Sequence, residues 1–380
     1  MKICAIICEY NPFHNGHLHQ LQQAKTLSGA DAVLCLMSGN FVQRGEHAVL
    51  DKYTRAKHAI LAGADVVLEL PAVFSTSNAE LFAQGAIHLL SSIPEVITLC
   101  FGAELADKTA FLLGARYLNN EPKEVSDLLR KKLAEGVSFA KARAEAYAGF
   151  IPLDLLSSPN NILGLEYTKA ILAQNSHIEI LPIQRIGRGY TDTSLDGKIV
   201  SATAIRTAMQ NGTLQQEPLP EFVYNDLSIN WNTAVLNQLE KYAVLNRSAE
   251  EISKICDCTE GLENAFKKSA TDEKTFVESL TSPRYTASRI RRIALQNLLK
   301  IDEAFIRNCL SSPLYLKPLA LKAKNTALLS VLGNANFPLI VRAHDEEVLE
   351  GYAKACFETE RFADSVYAIL NTTKKENIFI

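Results

Sequence analysis

Apolar residues arrive in short blocks along the first two-thirds of the chain, separated by stretches with helical spacing. KICAII (Lys2 to Ile7) is β-branched and too short for a helix, so it reads as a strand. HLHQLQQAKTLSGA then carries apolar positions at helical spacing and stops at Gly29. DAVLCLM (Asp31 to Met37) is the next strand, followed by a helix through DKYTRAKHAILAGA with Asp51 as N-cap. DVVLEL (Asp65 to Leu70) closes at Pro71, NAELFAQGAIHLLSS is helical, and VITLCFG (Val96 to Gly102) is a strand again. Residues from about 104 to 176 read as a helical insertion before the last strand, HIEILPI (His177 to Ile183).

This alternation predicts an α/β protein with a doubly wound parallel sheet, whose strands are apolar enough to be buried on both faces. A helix follows in IVSATAIRTAMQNG, and from about Leu214 strand signals thin out in favour of amphipathic helices such as SRIRRIALQNLLK. The expected division is an N-terminal catalytic region, 1–212, and a mostly helical C-terminal domain, 213–380.

Composition changes this picture little. The chain has 380 residues, 47% hydrophobic and 21% charged, with a formal net charge of −3. No apolar run approaches the ~20 residues of a membrane span, and a cytoplasmic protein is expected. Net charge supplies no global field for nucleic acid, although a local basic stripe can still bind it. Of the eight cysteines, Cys256 and Cys258 are the only close pair; they lack the second half of a zinc site, and no metal role is expected. Trp231 reads as packing at a domain junction.

In an open parallel sheet, ligands bind at the carboxyl ends of the strands. EYNPFHNGH, MSGNFVQRGE and FGAE fall there. In the first, Pro12 and Gly16 make a tight strand-to-helix turn, and His14 and His17 share one face of the first helical turn. Free amides, the dipole and imidazole donors there suit phosphate, and they can stabilise charge as an α-phosphate is attacked. The plainer reading is that one histidine caps the turn and the other is solvated. SATAIR, Ser201 to Arg206, is a second helix start, with Ser201, Thr203 and the Arg206 guanidinium suited to β- and γ-phosphates. Taken alone, Ser201 and Thr203 are ordinary caps. Two such turns at one sheet edge fit a nucleoside triphosphate.

HNGH resembles the HxGH signature of the nucleotidyltransferase superfamily, and SATAIR resembles its SxTxIR counterpart. With MSGNFVQRGE, DVVLELP and SPNNILGLEY, the chain resembles the bacterial tRNA(Met) cytidine acetate ligase family. The resemblance implies a Rossmann-like nucleotidyltransferase fold. It also implies an enzyme that activates acetate with ATP to acetyl-adenylate, then acetylates N4 of the wobble cytidine of elongator tRNA(Met). It further implies ATP contacts across Ile7, Cys8, Glu9, Tyr10, Asn11, Pro12, Phe13, His14, Asn15, Gly16, His17, Leu18, His19 and Gln20. Gly102, one of Asn160 and Asn161, and Arg185 in preference to Arg188 complete the implied nucleotide site. The lysine-rich form of the second signature is absent, which leaves Arg185 or magnesium to neutralise pyrophosphate.

On the acetate side, Asn40 and Gln43 are candidate donors and Arg44 a countercharge; the bland alternative is a surface loop with Arg44 paired to Glu46. For tRNA, Arg284, Arg289 and Arg292 form a basic run with Tyr285 beside it, and KPLALKAKN (Lys317 to Asn325) is a second patch; a solvated face is the ordinary meaning of both. No obligatory protein partner is expected. Two other functions fit the same turns: an adenylyltransferase making a dinucleotide-type cofactor, and a non-catalytic nucleotide- or tRNA-binding module.

Overall fold

The computed structural model describes residues 1–137, 139–185, 199–227, 233–323 and 325–371. Arg188 and Trp231 lie outside the described residues. The strands are β1 (Ile3–Cys8), β2 (Ala32–Ser38), β3 (Phe41–Val42), β4 (Glu46–His47), β5 (Val66–Leu70), β6 (Val96–Ala103), β7 (Glu179–Gln184) and β8 (Pro318–Leu321). Six of them form one sheet in the order β7-β6-β1-β2-β5-β8, and β3 and β4 form a separate ribbon. β1 pairs in parallel with both β2 and β6; the chain adds β2 and β5 on one side of β1 and then β6 and β7 on the other, so a crevice opens between β1 and β6.

β2 and β5 are buried at every position, as apolar strands covered on both faces should be. Alternate residues feed two separate cores. Ala5, Leu34 and Leu68 pack on one face, and Ile6, Val33 and Val67 on the other. Trimming one of the buried leucines to alanine costs about 2–5 kcal/mol. The helices nearest the crevice are α1 (Asn15–Ser28), α2 (Lys52–Leu61), α3 (Ala72–Ser75) and α4 (Ala79–Ser91). Local chemistry ends them as expected. The Asp51 carboxylate accepts from the Tyr53 and Thr54 amides at 2.9 and 3.0 Å, and Gly29 turns the chain at φ 60°. The insertion is helical from Lys108–Asn119 through Pro159–Ala173.

The chain beyond Leu214 is mostly helical, but it also contributes to the sheet. β8 pairs antiparallel with β5, Val66 opposite Leu321. Its run PLAL has four residues and no β-branched side chain, too little for periodicity to register. The patch expected to be basic surface is therefore an edge strand, and Lys317 and Lys322 pair with Glu69 (3.4 Å) and Asp65 (3.7 Å). The helix Gly351–Leu370 also returns to the centre, since Phe357 and Leu370 share a core with Ile3. A smaller core around Phe266, Phe276 and Ile293 lies within the C-terminal half. No helix among the described residues is long and apolar enough to cross a membrane.

Candidate active site

The loop after β1 is held from both sides by guanidinium groups. Arg55, fully buried on α2, donates to the carbonyls of Glu9, Ser38, Gly39 and Leu50, tying together the carboxyl ends of β1 and β2. Arg206, from the helix Ala202–Gln210, donates through Nη1 to the Asn11 carbonyl at 2.9 Å. Between these grips Tyr10 takes φ 47°, a left-handed conformation that a non-glycine residue holds only when its surroundings fix it. The Asn11 side chain accepts from the Val49 amide at 2.9 Å, and the Asn11–Pro12 peptide is cis. Ile7, Cys8 and Phe13 pack into the two cores flanking the sheet.

His14 is the N-cap of α1: its Nδ1 accepts from the Gly16 amide at 3.0 Å. That bond fixes the neutral tautomer, with the proton on Nε2. Gly16 is required because a Cβ there would stand 2.9 Å from His14 Cε1. The amides expected to hold phosphate already have partners. Asn15 N–H donates to the Pro218 carbonyl, Gly16 N–H to the His14 ring, and the His17 and Leu18 N–H groups to the His14 carbonyl. The imidazoles, not the first-turn backbone, are thus the donors this turn offers.

The two rings stack, with centroids 3.6 Å apart and planes 23° apart. Tyr10 and Phe13 support His17 from beneath, at 4.9 and 5.7 Å. Burial, then Arg185 and Arg206, pushes the His14 pKa down to about 3. Burial, then His14 and Arg185, holds His17 well below its ordinary value. Both rings are therefore neutral donors at pH 7 in a field made positive by two arginines, a combination that favours a polyanion.

The second turn faces the same crevice. Ser201 caps the helix Ala202–Gln210, its Oγ accepting from the Ala204 amide at 3.1 Å, while Thr203 Oγ1 accepts from Arg206 at 3.3 Å. A Cβ on Gly16 would lie 3.5 Å from the Ile199 side chain, so the two helix starts adjoin. His14, His17, His19 and Gln20 on one side and Gly102, Arg185 and Ser201 on the other line a single cleft.

Asn161 is fully buried and committed to the fold. Its Oδ1 accepts from the Glu104 and Leu105 amides, and its Nδ2 donates to the Asp154 carbonyl. Asn160 is half-buried and donates to Glu104 at 2.6 Å.

A family model described as HIGH Nucleotidyl Transferase matches residues 1–378. The chain belongs to that family. It is 34% identical to the tRNA(Met) cytidine acetate ligase of Alkaliphilus metalliredigens, over 97% of this chain and 94% of that one. The enzyme of the same name from Clostridium perfringens is also 34% identical, over 99% and 97%. The crystal structure of apo Thermotoga maritima TmcAL superposes with a TM-score of 0.89 at 32% identity, covering 100% of this chain and 97% of that chain. The same protein bound with alpha-thio ATP gives 0.86 at 30% identity, with the same coverage.

In this member of the HIGH nucleotidyl transferase family, the loop after β2 folds across the end of β1. Glu9 accepts from the Gln43 amide at 2.7 Å, and burial raises its carboxyl pKa against the pull of Arg206, Arg44 and Arg55. Gln43 Nε2 donates to the Ser77 carbonyl at 3.3 Å. Asn40, expected as a donor to acetate, is buried and engaged on both sides. It accepts from the Lys52 amide at 2.8 Å and donates to Asp364 at 2.9 Å. Asn40 thereby fastens the loop to the helix Gly351–Leu370. Glu46, which the bland alternative paired with Arg44, pairs with Arg291 at 3.0 Å.

The basic run is turned inward. Arg289 donates to the Asp257 carbonyl at 2.7 Å, and Arg292 pairs with the Asp257 carboxylate at 3.0 Å. Arg284 pairs with Glu260, yet its side chain keeps 68% exposure. Helical spacing identified one face of basic residues, and tertiary partners took most of it.

Sequence reasoning missed Arg55, whose buried fork organises the crevice, and Glu104, discussed below. The acidic residue two positions after the glycine of FGAE was the available signal for Glu104.

Proposed function

We propose that this chain is an ATP-dependent acetate ligase acting on elongator tRNA(Met). An acetate oxygen attacks the α-phosphorus, the bond to the β-phosphate oxygen breaks, and pyrophosphate leaves. The N4 amine of the wobble cytidine then attacks the acetyl carbonyl, AMP leaves, and the amine loses a proton. The observation that carries the reading is the Arg206–Asn11 hydrogen bond, which sets both signature turns against one cleft. The names and coverage of the relatives support the ligase over the adenylyltransferase and binding-module alternatives.

In this reading His14 Nε2–H and His17 donate to the α-phosphate oxygens, where charge builds in the transition state. Arg185 and Arg206 screen the approach of one anion to another, and Ser201 and Thr203 face the departing pyrophosphate. Gln43 and Arg44 border the acetate side, and Arg284 remains the most accessible of the three arginines for RNA phosphate.

The acids that could share a metal among the described residues are Glu69, Glu360 and Asp364. The Lys52 ammonium lies 2.5 Å from Glu69 and 2.7 Å from Asp364, so an internal cation already fills that cluster. Magnesium, expected with ATP, would enter with the nucleotide and supply charge neutralisation for the leaving pyrophosphate.

The deciding experiment supplies ATP, magnesium, labelled acetate and elongator tRNA(Met). Label on the wobble cytidine with equimolar pyrophosphate release is expected. Folded protein that transfers no acetyl group would end the reading, and AMP transfer to a phosphorylated metabolite without RNA would favour the adenylyltransferase.

A further inference from the structure

We propose that Glu104 is a positioning residue for the nucleotide; this rests on reading the cleft as an ATP site. Glu104 follows β6 at the edge of the crevice. Its carboxylate accepts from Asn160 Nδ2 at 2.6 Å and from the Asn161 amide at 3.2 Å, and stands 3.7 Å from Arg185 Nε. Its carbonyl accepts from Gln184 Nε2 at 2.9 Å. One side chain thus connects the helix Pro159–Ala173 to the residue after β7, across the end of the strand that carries Gly102.

The junction does not rest on this carboxylate alone, although it accepts from the Asn161 amide in the first turn of that helix. Buried Asn161 already joins the Glu104–Leu105 backbone to the helix and to Asp154. The carboxylate also faces Asn160, which is half-buried, and Arg185, which lines the cleft. Arg185 and Glu104 are about one-third exposed, 33% and 28%, so water screens the pair and its contribution to stability is small. Its effect lies in order. A free arginine side chain carries rotamer entropy, which a ligand must otherwise overcome on binding. Glu104 removes part of that freedom beforehand. Gly102 assists by letting the Arg185 stem lie close, since a Cβ there would be 3.3 Å from Arg185 Cγ.

The test uses the full chain with Glu104→Ala and Glu104→Gln. ATP binding is titrated without acetate, and turnover is then measured by acetate-dependent pyrophosphate release. Glu104→Ala weakens ATP binding and raises KM for ATP about tenfold, with kcat within about threefold and KM for acetate unchanged. Glu104→Gln, which keeps an acceptor for Asn160 but loses the charge facing Arg185, falls between it and wild type. Glutamine also preserves the shape, so it decides the matter if the alanine variant fails to fold. Wild-type ATP affinity in Glu104→Gln and Glu104→Ala would overturn the proposal, as would a loss of kcat at unchanged KM, the mark of a purely structural role. A wild-type protein that binds ATP but releases no pyrophosphate with acetate would refute the ligase reading and leave the affinity ratio to judge Glu104. One that does not bind ATP would overturn both.

Discussion

The Arg206 guanidinium donates to the Asn11 carbonyl at 2.9 Å across 195 residues of chain. The contact locks the second helix start against the loop that follows the central strand. It also places a permanent positive charge near His14, whose protonation it opposes.

Arg206→Lys keeps a charge but loses the fork that reaches Asn11 and Thr203 together. Pyrophosphate release is expected to fall at least about tenfold, with a smaller loss of ATP affinity. Equal turnover in the lysine variant would show that charge alone suffices.

His17→Ala is expected to lower turnover by at least about a hundredfold with little change in thermal stability, because the lost group acts on the transition state. His14→Ala loses turnover as well, but also its capping bond to Gly16, at a cost of about 1 kcal/mol. Thermal unfolding should therefore separate the two variants. Equal destabilisation of both would make His17 a structural residue.

Several histidines are held neutral by burial. His14 is pushed down to about 3 and His47 to about 4, and His17, His58 and His88 are also lowered. Below about pH 6.5 the unfolded chain binds protons that the folded chain refuses, so their stability contribution is full above that value and lost as pH falls toward 4. The melting temperature should decline steadily from pH 7 to pH 5. A flat profile would contradict the burial of these rings.

Lys52 is fully buried among Glu69, Glu360 and Asp364, whose charges outweigh burial and keep its ammonium protonated. Lys52→Met leaves those carboxylates with Lys317 as the remaining cation of the cluster. The expected cost is about 3–5 kcal/mol, read as a lower midpoint in denaturant unfolding. A variant of wild-type stability would mean that the cluster reprotonates at little cost, which a higher midpoint at pH 5 than at pH 8 would reveal.

Features set by neighbours in sequence were legible before any coordinates. The apolar runs from KICAII to HIEILPI gave five parallel strands, because burial on both faces demands continuous apolar residues. Asp51 and Ser201 cap helices through bonds that reach only three residues. The two signature turns were likewise visible, since each is a local strand-to-helix passage.

Tertiary structure decided which partner each polar group meets. Arg289 and Arg292 read from spacing as a basic face, and folding set Asp257 beside both. Asn40 looked like a substrate donor until Asp364, 324 residues away, took its amide. β8 became a strand only because β5 offered it an open edge. Periodicity reports which side of an element is buried, whereas the identity of the group across the gap depends on how distant segments are brought together in space.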